Sequence, residues 1–235
     1  WAGRLIAALD RTLNKGRARR AKGALTVLVV LLAAMIPAVL IQAWLGPWVA
    51  AVLAWPLVAA RSLDQHLRAV AVPLAAGDLV AARGATAMIV GRDVTRADTP
   101  ALSRASLESL AENFSDGVIA PLFWAAVGGL PGIAAYKAIN TMDSMIGHRT
   151  PRHEAFGMIA ARLDDVANLI PARLSAGLIA IASGRRAGAA LRVTLRDASA
   201  HRSPNAGWPE GAMAGALDCR LSGPRVYADR VADEP

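Results

Sequence analysis

Residues Glu112–Arg149 read ENFSDGVIAPLFWAAVGGLPGIAAYKAINTMDSMIGHR, an apolar run set between two clusters of acidic, amide and hydroxyl side chains. Lipid accounts for the middle of this stretch, but polar groups at a membrane face are costly and usually mark a function. Gly117–Ile139 carries a single charge, Lys137, at its far end, and its centre holds Gly128-Gly129 and Pro131-Gly132. Such residues break a helix, so a kinked span or a re-entrant pair is expected rather than one straight helix. The difference matters. A straight span puts the two polar clusters on opposite sides of a membrane, and a turn puts them on the same side.

The rest of the 235-residue chain fits a helical membrane protein. It is 54% hydrophobic with 5% aromatics, and mean hydropathy is +0.36. Ala, Leu and Val supply the apolar mass, which favours helices over sheets. Ala24–Trp44 runs 21 residues without a charge, enough to cross a hydrocarbon core of ~30 Å. Before it, residues 1–23 hold seven basic side chains against Asp10 alone, which places this flank in the cytoplasm by the positive-inside rule. No aromatic residues or known motif interleave that block, so the membrane reading is preferred over nucleic-acid binding. Trp44, Trp48 and Trp55 suit an interfacial belt. Trp1, with no initiator Met or signal-peptide architecture, and the abrupt tail from Ala228 lead to the expectation of a piece of a longer protein. The lone Cys219 excludes an internal disulfide.

The expected organisation is all-α: a multi-pass helical membrane protein with a soluble helical insertion and cytoplasmic polar loops. Its segments are a basic flank (1–23), membrane segments (24–60), the insertion (61–116) and a membrane hairpin or span (117–140). A polar segment (141–168), an apolar one (169–183) and a polar loop region (184–235) follow, together making one membrane-embedded domain. Trp48–Ala60 can return through the membrane, lie at its surface or complete a hairpin.

Four polar constellations could carry chemistry. Glu108, Glu112 and Asp116 fall at i, i+4, i+8, one helix face whose mutual repulsion a cation would relieve, with Asn113 and Ser115 beside them. A solvated face is the plain alternative. In the second cluster Lys137, Asn140, Thr141 and Ser144 share a face, with Asp143 alongside. A lysine among amides and hydroxyls suits phosphate, and an aspartate with amide and hydroxyl oxygens suits Mg²⁺. A snorkelling lysine and a capped helix end would look the same. The third is Arg162, Asp164, Asp165 and Asn168, where Arg162 and Asp165 could equally be a structural pair. The fourth, Arg196-Asp197 with His201 to Glu210, has the turn formers, cations and amide of an anion-binding loop before a helix. HExxH, CxxC, GxSxG and Walker-type loops are absent. Spacing alone gives a polar site at a membrane surface and names no reaction.

Taken together the blocks resemble the adenosylcobinamide-phosphate synthase family of cobalamin biosynthesis. The resemblance rests on Ile89-Val90-Gly91-Arg92-Asp93, Glu108 to Asn113, Ser115 to Pro121, Tyr136-Lys137 through Asn140 to Gly147, Ala161 to Asp165 through Asn168 to Arg173, and Arg196-Asp197 with His201 and Ser203 to Glu210. It implies a multi-pass inner-membrane ligase joining the corrinoid adenosylcobyric acid to aminopropanol or its O-phosphate, with ATP and Mg²⁺ and no tightly bound cofactor. Other cobalamin-assembly membrane proteins are candidate partners, alongside the lipid bilayer, and nucleic acid is not. Members of this family usually have a short acidic, Gly-Pro-containing segment upstream and a further apolar segment downstream.

On that resemblance, phosphoryl chemistry sorts the clusters, since it depends mostly on positioning and charge neutralisation. Glu112, Asp116 and Asp143 are assigned to the metal. Asn113, Ser115, Lys137, Asn140, Arg162, Arg196, Arg202 and Asn205 are assigned to substrate or phosphate groups. Asp164 and Asp165 would receive the ammonium or its proton, and His201 would carry protons. The main rival is a catalytically inactive membrane sensor or regulator of the same family, which predicts eroded polar blocks, whereas all are filled here. A transporter or channel predicts charges inside several spans, whereas these clusters sit at span ends.

Overall fold

The computed structural model describes residues 1–221 and the backbone of 225–227 and 230–232. Residues 1–221 are helical apart from the connections between helices. Beyond them, β1 (Arg225–Tyr227) pairs antiparallel with β2 (Arg230–Ala232), Val226 opposite Val231. The remainder of the expected 184–235 loop region and the tail from Ala228, apart from β2, lie outside the described residues. The chain divides into two compact units. One holds Trp1–Val58 and Ala120–Leu169, the other Ala59–Ile119 and the chain from Ile170 onward.

The first unit contains α1 (Ala2–Leu13), α2 (Arg19–Ala54), α6 (Ala120–Met142) and α7 (Met158–Ala167). Two of these are broken. α2 leaves helical geometry at Gly46 (φ 76°, ψ 175°) and α6 at Gly129 (φ 62°, ψ −148°), conformations that only glycine adopts cheaply. At Gly129 the chain reverses. A Cβ on Gly132 would run into the carbonyl oxygen of Trp124, eight residues earlier and roughly 12 Å away along a straight helix. Ala120 and Tyr136 accordingly share one apolar cluster with Ala167.

The two broken helices pack on each other through small side chains. Val27, Val30 and Ala34 of α2 meet Ala138 and Met142 of α6, and Ala38 and Ala50 meet Leu130 and Ile133. Short side chains let backbones approach closely, which is how helices associate where no water drives them together. The break in α6 frees backbone donors, and Gln42 answers one: its Oε1 accepts the Leu130 N–H at 2.7 Å. The opposite face of α2 exposes Leu25, Leu28, Leu32, Ile36 and Leu40 at helical spacing, a surface suited to lipid. Trp44 and Trp48 are exposed on either side of the Gly46 break.

By length and composition the runs Arg19–Ala75 and Thr99–Gly147 are long and apolar enough to cross a membrane, and α7 with α8 (Leu169–Ala182) counts as a third if taken as one. The breaks divide those runs. Residues 19–45 reach roughly 40 Å, but the limbs of α6 on either side of Gly129 reach only about 14 and 20 Å. Neither α6 limb alone matches a ~30 Å core.

In the second unit α3 (Ala60–Ala75), α4 (Leu79–Ala87) and α5 (Thr99–Phe114) enclose Ala82, Val94 and Leu102. Their starts follow local rules. Asp78 Oδ1 accepts from Ala81 N–H at 3.0 Å and Asp98 Oδ1 from Ala101 N–H at 2.9 Å, with Pro100 in the first turn. The segment from Gly184 departs from the expected polar loop. It forms α9 (Ala187–Asp197) and α10 (Gly207–Leu217), and α8 packs on α10 through Ala176, Ile179 and Ala212. The turn formers there hid these helices because Gly211 serves close helix packing, facing Thr194 of α9, rather than a bend.

Candidate functional site

Each polar cluster that flanks the apolar run includes a π-helical turn: Ser115–Ile119, with Ser115 and Asp116, and Asp143–Gly147, with Asp143 and Ser144. Such turns insert a residue into the helix, re-aim side chains and concentrate at functional sites. Sequence spacing could not reveal them. In the second unit the turn at Ser115 breaks the i, i+4, i+8 register at its third member, Asp116.

The three-carboxylate face also loses its first member. Glu108 is 6% exposed, and its Oε2 accepts from Arg92 at 2.7 Å, an ion pair across sixteen residues. Glu108 is therefore a structural anion. Asp93, beside Arg92, accepts from the Thr95 amide at 2.9 Å and the Thr95 hydroxyl at 2.7 Å, which hold its carboxyl below the usual carboxylate range. These bonds shape the 91–95 loop. Glu112, half-buried, has no hydrogen-bond or ion-pair partner among the described residues. Asn113 is exposed and donates to the Ser109 carbonyl at 2.8 Å, while Ser115 is buried with no hydrogen-bond partner for its hydroxyl.

Phe114, between those two, lies in one apolar cluster with Trp208. The same unit thus brings the Asn113–Asp116 turn to the loop before α10. There His201 Nδ1 accepts from the Ser203 N–H at 3.0 Å, and His201 Nε2 stands 3.7 Å from Glu210 Oε1. Ser203 Oγ accepts from the amides of Asn205 and Ala206 at 3.2 and 3.3 Å, closing the turn. Asn205 and Glu210 are buried, and Arg202 is exposed. Arg173 lies 4.3 Å from the Trp208 ring centre, a cation-π contact joining α8 to α10. Arg196 is exposed and engaged by its neighbour Asp197 at 2.6 and 2.7 Å, which leaves it less open to a phosphate than spacing suggested.

The first unit gathers the other candidates. Lys137 and Asn140 lie on α6, Asp143 on its π-helical turn, and Arg162, Asp164 and Asp165 on α7. Asp143 is within electrostatic reach of both Asp164 and Asp165, and Arg162 of Asp165. Asn140 bonds Asp164 from one side. Asn168 Nδ2 donates to Asp164 Oδ2 at 3.0 Å, and Tyr136 donates to Asn168 Oδ1 at 3.0 Å. Asp164 Oδ1 is buried with no close hydrogen-bond partner. Thr141 and Ser144 donate back to the carbonyls of Lys137 and Asn140, so their protons are spent within the helix.

Sequence reading did not anticipate Tyr136 and Asn168 as the support of Asp164, nor the clamp on Asp10. That carboxylate accepts from Arg152 at 2.6 Å and from Asn14 at 2.8 Å, with His153 Nε2 at 3.3 Å. Burial works to raise the Asp10 pKa, and the bonds from Asn14, Arg152 and His153 outweigh it, so the group sits below its ordinary range. The signal available was the Asp10/Asn14 pair at i, i+4; its partners lie 138 residues and more along the chain.

Among the described residues no three His, Cys, Asp or Glu side chains gather in an arrangement that could hold a metal by themselves. Glu112 and Asp116 belong to the second unit and Asp143 to the first, so they form no ready-made cage within either. The donors still suit Mg²⁺, which binds through one or two carboxylates and completes its shell with water and substrate phosphate. Asp143 and the buried, unpartnered Asp164 Oδ1 are hard oxygen donors of that kind.

Comparison with known proteins agrees over the whole chain. The profile of the family described as CobD/Cbib protein matches residues 1–235. The chain is 60% identical to the "Cobalamin biosynthesis protein CobD" of Rhodobacter capsulatus over 241 residues, covering 100% of this chain and 76% of that protein. A protein of the same name from Sinorhizobium sp is 49% identical over 99% of this chain and 77% of its own length. That of Brucella suis is 55% identical over 76% of this chain and 56% of its own. No solved structure matches.

Proposed function

From the premise that the chain belongs to the CobD/CbiB family of cobalamin biosynthesis, we propose that it is an ATP-dependent amide ligase of the inner membrane. Adenosylcobyric acid supplies a carboxylate, aminopropanol or its O-phosphate supplies the amine, and the product is adenosylcobinamide or its phosphate. The observation that carries this reading is the reversal at Gly129, which packs Ala120 near Tyr136 in one cluster. A re-entrant α6 supports a reading in which both of its ends face the cytoplasm.

A carboxylate and an amine do not condense unaided in water. In the proposed sequence the corrinoid carboxylate attacks the γ-phosphorus of ATP, ADP leaves, and an acyl phosphate forms. The amine then attacks the acyl carbon and inorganic phosphate departs with the C–O electron pair. Lys137 and Arg162 in the first unit and Arg202 in the second are the cations assigned to phosphate charge, with Arg196 available once released from Asp197. Asn113, Ser115, Asn140 and Asn205 orient substrate polar groups. Asp164 and Asp165 hold the ammonium and accept the proton it loses, and His201 relays protons at the loop before α10. Asp143 in the first unit, and Asp116 and Glu112 in the second, are the carboxylates that would hold Mg²⁺, which would supply charge neutralisation at phosphate.

Membranes carrying the chain, incubated with adenosylcobyric acid, aminopropanol phosphate, ATP and Mg²⁺, should give an amide product with stoichiometric ADP. Asp143→Asn and Asp116→Asn should each lose activity at least about a hundredfold with corrinoid binding retained. Full activity in both variants would remove the metal assignment. No product and no ATP turnover by the intact protein would favour the sensor or regulator instead.

A further inference from the structure

Between α3, the end of α4 and α5, the second unit holds a cleft of about 330 Å³, and Asn113 is its one lining residue to which the proposed ligase steps give a role. Leu63, Leu67, Met88 and Leu110 give it aliphatic walls, and no Asp, Glu, Lys or Arg lines it. A phosphate would find no cation in its lining and an ammonium no counter-charge, so charged ligands are disfavoured.

Its polar groups are specific. Ser106 is 4% exposed and lines the cleft, and its hydroxyl has no hydrogen-bond partner, not even the helix carbonyl four residues earlier. A buried hydroxyl left unbonded is costly and points to a ligand atom. His66 Nδ1 lies 2.7 Å from the Ser62 carbonyl oxygen, an acceptor, so in the neutral ring Nδ1 carries the proton and Nε2 is an acceptor. Asn113 spends its Nδ2 on the Ser109 carbonyl and hydroxyl at 2.8 and 3.1 Å, which identifies Oδ1 as its open acceptor. The Ser109 hydroxyl is taken up by the Ile89 carbonyl and the Ser62 hydroxyl lies against His66 Nδ1, so the open groups are two acceptors and one donor, which match one common functional group.

We propose that this cleft binds a primary carboxamide carried on a short aliphatic arm. Its NH₂ donates to Asn113 Oδ1 and His66 Nε2, and its carbonyl accepts from the Ser106 hydroxyl. The arm lies against Leu63, Leu67 and Leu110. Resting on the ligase reading, the source of the arm is the amidated rim of the corrinoid, which the cleft would grip away from the reacting carboxylate.

The test uses the full chain in detergent micelles and ligand-observed NMR with propionamide, comparing methyl propionate and propylammonium. Propionamide should show saturation transfer, and Ser106→Ala and His66→Phe should each weaken it roughly fivefold or more. Equal transfer to methyl propionate, or no change in either variant, would overturn the site. An amidated corrinoid should displace propionamide. Failure to displace it would overturn the corrinoid source and leave a free small amide as the ligand. ATP-dependent product formation by the same preparation reports on the ligase reading separately.

Discussion

Tyr136 donates a 3.0 Å hydrogen bond to Asn168 Oδ1, and both residues are 1% exposed. The amide that receives it passes a second bond to Asp164 Oδ2 at 3.0 Å. A residue at the end of the apolar run therefore fixes a carboxylate on α7 through one intermediary. Tyr136→Phe should leave the Asn168 oxygen short of a donor and cost about 1–3 kcal/mol, read as a lower denaturation midpoint in micelles. Activity should fall further than stability, because Asp164 loses its aim. Equal losses in Tyr136→Phe and in a volume-matched change elsewhere in the cluster would show packing alone.

The reversal at Gly129 makes a second prediction. Gly129→Ala forces a side chain into a backbone region worth about 1–3 kcal/mol of strain and drives its Cβ into Gln42. Gln42→Leu strips the Leu130 N–H of its acceptor, at about 1–3 kcal/mol. Both variants should unfold earlier in a denaturant titration of the micellar protein. Wild-type stability in Gly129→Ala would rule out the fold-back.

Acid should loosen the clamp between α1 and the 149–157 turn. The Asp10 carboxyl is held below its unfolded value, so the stability it gives is present above the unfolded pKa of about 3.9. It is lost as pH falls through the lower folded value. Melting temperature should drop more steeply below about pH 4 in the parent than in Asp10→Asn, which lacks this term. Parallel pH profiles would remove Asp10 from the account.

The Arg92–Glu108 pair is mostly buried, with side chains 14% and 8% exposed. Removing one partner strands the other. Glu108→Gln and Arg92→Met should each cost on the order of 3 kcal/mol, and the double variant Arg92→Met/Glu108→Leu less than their sum. Thermal unfolding of the three variants gives the coupling directly. Strict additivity would mean the two side chains act independently.

Helix content was legible because Ala and Leu dominate and because Asp78 and Asp98 cap their helices in local sequence. α9 and α10 were missed because their glycines and prolines look like turn formers until the partner helix is seen. Among the candidates, Asp143, Asp164 and Asp165 come together as one group. Glu108 turned out to be neutralised by an arginine sixteen residues earlier, and Arg196 by its own neighbour. Pairing of that kind depends on rotamers and loop paths, which spacing does not encode.

The sequence by itself determined that two polar clusters bracket an apolar run weakened by Gly128-Gly129 and Pro131-Gly132, since glycine and proline are poor helix formers. Its motifs also determined the family. Only the tertiary structure decided that the break is a reversal, because a positive φ at Gly129 permits many directions. The direction taken is set by Gln42 accepting from Leu130 and by Gly132 lying against the Trp124 carbonyl. The first contact joins segments 88 residues apart and the second joins the two limbs of α6, and helix propensity encodes neither.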